Sequence, residues 1–157
     1  MNITLRNAQK QDIPQIIELI KELALYEKAL EQVSITPEEL ERDGFCEHPL
    51  FWIILAEHKN EIIGMSFYYI RYSTWKGKCL YLEDIIVKET YRRMGIGKLL
   101  FDATIEEAKK IDAALLTWQV LEWNTPAIHF YEKYKASFDP EWLNGKLTKE
   151  QIKHFNK

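Results

Sequence analysis

Two hydrophobic periods, one near two and one near 3.6, alternate along this chain. Ile3-Thr4-Leu5-Arg6 alternates apolar with polar and predicts a short strand. Asp12 then precedes Ile13, Ile16, Ile17, Ile20, Leu23 and Ala24 at helical spacing, which predicts a helix capped by Asp12. Thr36-Pro37-Glu38-Glu39 combines a cap residue, proline at the first helical position and Glu three after the cap, so a second, short helix should run to near Gly44. Trp52 to Glu57 and Ile62 to Tyr72 predict two strands joined as a hairpin at His58-Lys59-Asn60-Glu61. The turn-like Thr74-Trp75-Lys76-Gly77 leads into another strand, Lys78 to Val87. A third helix is expected from Gly97 to Ile111, with Leu100, Ala103, Ala108 and Ile111 facing a core, followed by a strand from Ala114 to Leu121. Asn124-Thr125-Pro126 opens a fourth helix that continues to about Lys135, and a strand or turn near Glu141 to Lys146 precedes a polar tail. Strands mixed with helices, including a strand-helix-strand unit in the second half, predict an α/β (α+β) arrangement of layered sheet and helices.

No repeat, low-complexity tract or linker divides the 157 residues, so a single domain over 1–157 is expected. Apolar residues at 46% and charged ones at 29% match a chain that folds unaided. The longest apolar run, Leu50 to Ala56, is far short of the ~18 residues of a membrane span, and the polar start MNITLRNAQK does not read as a signal sequence. A soluble, cytoplasmic protein without a membrane partner is the expectation. The net charge of −3 supplies no broad basic footprint, so nucleic acid is not the expected partner either. Cys46 and Cys79 read as buried reduced thiols. His48, His58, His129 and His154 show no metal-ligand spacing, and no metal is expected.

Candidate chemistry concentrates between Tyr81 and Lys98. An apolar strand containing Glu83 and Asp84 runs through Ile85, Ile86 and Val87 into a loop, Arg92-Arg93-Met94-Gly95-Ile96-Gly97-Lys98, and the loop runs straight into an amphipathic helix. Such a loop offers free backbone N–H groups and the positive end of a helix dipole to an anion. Gly95 and Gly97 permit close approach of the backbone, and Arg92, Arg93 and Lys98 add charge. A pyrophosphate cradle is one reading and an ordinary glycine turn between strand and helix is the other. The loop lacks both the P-loop pattern and the full dinucleotide fingerprint, which disfavours ATP and NAD.

Arg92-x-x-Gly95-x-Gly97 after a strand, with Asn124-x-Pro126-Ala127 and Phe130-Tyr131 downstream, resembles the GCN5-related N-acetyltransferases (GNAT). The blocks IKELALYEKALEQV, DGFCEHP, LYLEDIIV, YRRMGIGKLL and EWNTPAIHFYEK are similar to the spermidine/spermine (diamine) and thialysine N-acetyltransferases of that family. The resemblance implies a mixed, mostly antiparallel central sheet flanked by helices, a strand-loop-helix cradle for acetyl-CoA, and a homodimer. It implies that Ile85, Ile86 and Val87 bond the pantetheine and acetyl groups. Arg93, Met94, Gly95, Ile96, Gly97 and Lys98 would bind pyrophosphate; Thr117, Trp118 and Gln119 with Asn124, Thr125, Pro126 and Ala127 would complete the contacts. Tyr131 takes the place of the family's general acid. Tyr26, Glu27, Glu83 and Asp84 fall where polyamine sites lie, and Glu141 matches a further acidic contact.

Elementary chemistry is compatible with these roles. A primary alkylamine, with a pKa near ~10.4, is protonated at neutrality and must lose a proton before attack. Glu83 can accept it directly or through a water, and a phenol such as Tyr131 can protonate the departing thiolate. Tyr131 also reads as a packed aromatic beside Ile128 and Phe130, and Glu83 and Asp84 as a solvated strand end. Tyr68, Tyr69, Tyr72 and Trp75 could border an amine channel. The expected reaction is acetyl transfer from acetyl-CoA to a small cationic amine in a ternary complex. Other amines, such as an aminoglycoside or a protein N-terminus, and a non-catalytic acyl-CoA sensor are the alternatives. Two positions depart from the family: Lys135 stands where a glycine usually stops the fourth helix, and the segment from Ser137 to Lys146 is short.

Overall fold

Lys59 and Asn60 both adopt the left-handed conformation, with φ of 49° and 66°, the pairing that closes tight two-residue hairpins because it follows the twist of the strands. This turn joins β2 (Trp52–His58) to β3 (Glu61–Ser73). In the computed structural model, which describes residues 1–155, these strands are the centre of a five-stranded sheet. Its order is β1 (Thr4–Asn7), β2, β3, β4 (Gly77–Val87) and β5 (Leu115–Trp118). All neighbours are antiparallel except β4 and β5, which are parallel. That parallel pair requires a crossover, supplied by α3 (Ile96–Lys110).

Alternation along β2 assigns the two faces. Ile53 and Leu55 pack with Ile16, Ile17 and Leu19 of α1 (Ile13–Tyr26) and with Leu40 of α2 (Pro37–Gly44). Ile54 and Ala56 pack on the other face with Ile96, Leu100 and Ala108 of α3. The apolar stripe of α1 is centred slightly differently from its sequence pattern: Leu19 is wholly buried and Ile20 only partly. Gly64 sits where β3 passes under α3, since a Cβ there would lie 2.8 Å from the Ile86 carbonyl and 3.1 Å from Leu100. The hydroxyls of Ser66 and Thr104, 2.6 Å apart, join β3 to α3 in the dry interior.

Thr36 and Glu39 form the expected capping box at α2. Asp12 stands at the N-cap of α1 but makes no cap hydrogen bond to that helix. Its carboxylate instead accepts from the Gln9 N–H at 2.7 Å and from both Arg6 guanidinium ends at 2.7 and 2.9 Å. A charged donor outcompetes a helix-end amide for the same oxygens. Cys79 is buried as expected, whereas Cys46 is exposed just beyond α2, and both thiols are free.

The chain divides into two compact units, Met1–Gln119 and a second beginning at Val120. The second unit holds α4 (Thr125–Glu132), capped by Asn124, whose Oδ1 accepts from the Ala127 N–H at 3.3 Å. The helix ends before Lys135, which takes φ of 59°. A turn occupies Pro140 and Glu141 where a strand was an option. The polar tail carries a short helix, α5 (Lys149–Lys153), with a capping box between Thr148 and Gln151. The strand expected from Ala114 to Leu121 is only Leu115–Trp118, four residues opposite Cys79–Leu82.

Candidate active site

The early end of β5 leaves β4 unpaired on one side. Beyond Leu82, which faces Trp118, β4 continues through Glu83, Asp84, Ile85, Ile86 and Val87, and among the described residues no second strand pairs with that stretch. Alternate N–H and C=O groups of this segment therefore face away from β3 without a ladder partner. On β5, the Thr117 hydroxyl is buried with no hydrogen-bond partner among the described residues. Trp118 is held edge-on to Phe101, 5.4 Å between ring centres, and Gln119 closes the first unit.

From Val87 the chain passes through a single turn at Glu89–Tyr91, pinned by the Tyr91 hydroxyl donating to Glu61 at 2.9 Å and by Lys88 pairing with Glu61 at 2.8 Å. Arg93 and Gly95 then adopt positive φ of 64° and 82°. Gly95 is the N-cap of α3 and supplies no side-chain cap; the first helical bond closes only at Leu99, onto the Gly95 carbonyl at 3.1 Å. The N–H groups of Ile96, Gly97 and Lys98 thus lack helical acceptors. A Cβ at Gly95 would meet nothing within 4 Å, and one at Gly97 would meet only Val87 at 3.9 Å. The cradle is a bare backbone surface at the end of β4, fitted to an anion by its free donors and dipole. Arg93, Met94 and Lys98 are exposed around it, Lys98 pairing with Asp102 at 2.5 Å. Arg92 points elsewhere: its Nε donates to the Val87 carbonyl at 3.0 Å and its guanidinium lies 5.0 Å from the centre of the Tyr26 ring.

On the sheet face toward α1 the structure collects carboxylates. Phe67 pairs with Asp84 but the next residue, Tyr68, pairs with Leu82, so Glu83 is the extra residue of a β-bulge. Leu80 before the bulge and Ile85 and Val87 after it pack on the α3 face, while Ile86 packs with α1. The parity switch leaves two consecutive side chains, Glu83 and Asp84, on the α1 face. Glu27, just past the end of α1, is close enough to act on Asp84 electrostatically. Burial, then the charges of Glu83 and Glu27, push the Asp84 carboxyl up to about 7. Burial also raises Glu27. The alternation of the sequence itself breaks here, with apolar positions at 80 and 82 and then at 85 and 87, and that offset is the signal of the bulge.

Tyr69, across from Tyr81, stacks on it at 5.1 Å and lies close enough to Glu83 to feel its charge. Burial first, then the charge of Glu83, holds the Tyr69 phenol above its ordinary range. Tyr68 lies buried on the opposite face, stacked at 6.2 Å on the exposed Trp52 ring, and Tyr72 and Trp75 are exposed toward the β3–β4 turn. Tyr69 is thus the one of the four aromatics that reaches the carboxylates. In the second unit, Asn124, Thr125, Pro126 and Ala127 form the first turn of α4, and Tyr131 is buried, its carbonyl accepting from the Tyr134 N–H at 2.9 Å. Glu141 is exposed, its N–H donating to Asp139 at 3.0 Å. Among the described residues no group of three or more His, Cys, Asp or Glu is arranged to hold a metal.

Comparison with known proteins agrees with this geometry. Residues 15–135 match the model of the acetyltransferase (GNAT) family. The chain is 39% identical over 142 residues to a thialysine N-epsilon-acetyltransferase of Bos taurus, covering 85% of this chain and 84% of that protein. It is 32% identical to the spermidine/spermine N(1)-acetyltransferase-like protein 1 of Homo sapiens, covering 94% of this chain but 23% of that longer protein. Among solved structures, an aminoglycoside acetyltransferase from an uncultured soil metagenomic sample superposes with a TM-score of 0.78 at 18% identity, over 94% of this chain and 100% of that one, a likeness of fold. An unpaired strand end leading into an uncapped, glycine-bearing helix start is the arrangement a CoA thioester needs, and with these matches the chain belongs to the acetyltransferase (GNAT) family, acetyl-CoA-dependent enzymes that act on an amine.

Proposed function

We propose that this acetyltransferase acts on a primary amine of a small cationic acceptor: a diamine, a polyamine such as spermidine, or a thialysine-like amino acid. The observation that carries the proposal is the grouping of Glu27, Glu83 and Asp84, in which burial and mutual repulsion hold Asp84 near neutrality's edge, at about 7. A cation placed among them relieves that repulsion, and a second ammonium on the same molecule finds a second carboxylate. The relatives named for thialysine and for spermidine/spermine support the same substrate class.

In this reading the cradle N–H groups of Ile96, Gly97 and Lys98, with Arg93, hold the pyrophosphate of acetyl-CoA, and the strand edge at Ile85, Ile86 and Val87, where Arg92 occupies the Val87 carbonyl, holds its pantetheine arm. The buried Thr117 hydroxyl and Trp118 on β5, with Gln119 just beyond the strand, belong to the same cofactor surface. Glu83 accepts a proton from the acceptor ammonium, directly or through one water, and the neutral nitrogen attacks the acetyl carbonyl. Strand N–H groups stabilise the oxyanion, a contribution on the order of 3 kcal/mol per donor. The C–S bond then breaks, the thiolate takes a proton from the phenol that the family resemblance assigns to Tyr131, and the nitrogen sheds its second proton to water, from which the phenol is restored. No covalent enzyme intermediate forms, so neither cysteine takes part.

Steady-state assays with acetyl-CoA against spermidine, putrescine, lysine, thialysine, an aminoglycoside and an N-terminal peptide test the proposal. The expected outcome is a higher kcat/KM for the small dications than for a neutral-tailed amine of equal length. Turnover confined to the aminoglycoside or the peptide would replace the substrate class. Tight CoA binding without turnover of any amine would make the chain an acyl-CoA sensor.

A further inference from the structure

We infer that Arg92, although it opens the glycine loop, is a positioning residue for the acceptor side of the site: its guanidinium fastens Tyr26 to the cofactor loop instead of meeting the pyrophosphate. The inference rests on the amine reading above for what Tyr26 does. Arg92 Nε donates to the carbonyl of Val87, the last residue of β4, at 3.0 Å. That bond turns the guanidinium toward α1, where it lies 5.0 Å from the centre of the Tyr26 ring and 3.8 Å from Glu22 Oε1. The same Glu22 oxygen accepts from the Glu89 N–H at 2.9 Å. The end of α1 is therefore tied to both flanks of the turn that leads from β4 into the cradle.

Tyr26 is 37% exposed and adjoins Glu27, the carboxylate that acts on Asp84. A guanidinium over an aromatic face supplies a directional hold that a lysine ammonium or a second aliphatic contact would not. Arg93, by contrast, is exposed in a left-handed conformation and remains available to an anion. Adjacent arginines in one motif thus serve opposite substrates.

A double-mutant cycle tests this with Arg92→Met, Tyr26→Leu and their combination, and with Tyr26→Phe as the conservative variant. CoA binding is read by calorimetry with CoA itself, acceptor KM with spermidine and thialysine, and folding by thermal midpoint. Arg92→Met is expected to change the CoA Kd by less than about twofold while raising acceptor KM on the order of tenfold. Tyr26→Leu should raise KM similarly, Tyr26→Phe should lose much less, and the double variant should be no worse than either single one. A tenfold loss of CoA affinity in Arg92→Met with acceptor KM unmoved, or additive effects in the cycle, would overturn the inference. If neither acceptor is turned over, the amine reading fails separately. The CoA Kd of Arg92→Met and the cycle on thermal midpoints then decide the pairing, non-additive shifts supporting it and additive ones refuting it.

Discussion

Glu83 and Asp84 are neighbours in sequence on a β-strand, yet a bulge opposite Phe67 and Tyr68 turns both carboxylates to one face. Adjacent residues of a regular strand would face opposite sides. Their proximity raises Asp84, after the larger effect of burial, to about 7. A carboxyl raised above its ordinary ~3.9 is protonated in the fold while already ionised in the unfolded chain, so this group makes stability fall as pH rises from ~4 to about 7. Asp84→Asn should remove that slope and give the higher thermal midpoint at pH 8. In the proposed reaction the ionised form receives the cation, so acceptor kcat/KM should rise through pH about 7 in the native protein, a limb lost in Asp84→Asn. Midpoints and kcat/KM profiles between pH 5 and 9 check both.

Tyr131→Phe removes one hydroxyl from a buried ring. Because the ring remains, acetyl-CoA affinity should change little while kcat falls by on the order of tenfold or more. Pre-steady-state and equilibrium binding measurements separate the two, and unchanged turnover would dismiss the acid role.

The two cradle glycines should respond differently. Gly95 has φ of 82°, so Gly95→Val strains the backbone although no protein atom lies within 4 Å of its Cβ. It should lose about 1–2 kcal/mol of stability as well as CoA affinity. Gly97 is helical, and its Cβ would make only an ordinary contact with Val87 at 3.9 Å. Gly97→Ala should keep or raise the thermal midpoint, since alanine favours a helix by about 1 kcal/mol, yet weaken CoA binding. Intact CoA affinity in both variants would mean that the anion binds elsewhere.

Asp12 carries the opposite pH signature to Asp84. Hydrogen bonds from Arg6 hold it below the ordinary carboxylate range, against the opposing effect of burial, with help from the Gln9 N–H. Its stabilisation is complete above ~4 and is lost as pH falls through its lowered folded value. Asp12→Asn should cost on the order of 2 kcal/mol at pH 7, because it takes from a part-buried Arg6 one of the two carboxylates it pairs with, Glu57 being the other. Urea melts at pH 7 and 3 should show the gap between variant and native protein shrinking with acid.

Element identities were legible in the sequence wherever one period ran uninterrupted. The α2 capping box, the β2–β3 turn and the start of α4 follow from local chemistry alone. Asp12 was not legible as an ion-pair partner because Arg6 competes with the helix end from a separate strand. The length of β5 was hidden because pairing depends on where β4 runs beside it, and Leu121 is apolar whether or not it pairs. At the site, the cradle was readable from Arg92 to Lys98, but the opposite orientations of Arg92 and Arg93 were not, since one residue's hydrogen bond to Val87 decides them. Lys135 adopts the positive φ that its position implied, at 59°.

The two edges of use on β4 differ in kind. In the proposed reading its exposed main chain serves the acyl donor and its side chains serve the acceptor. A main-chain edge is nearly indifferent to which residues carry it, so substitutions on the α1 face of this strand can retune amine preference while donor recognition persists. One scaffold can diversify across amines in this way, as a lineage, without relearning its donor.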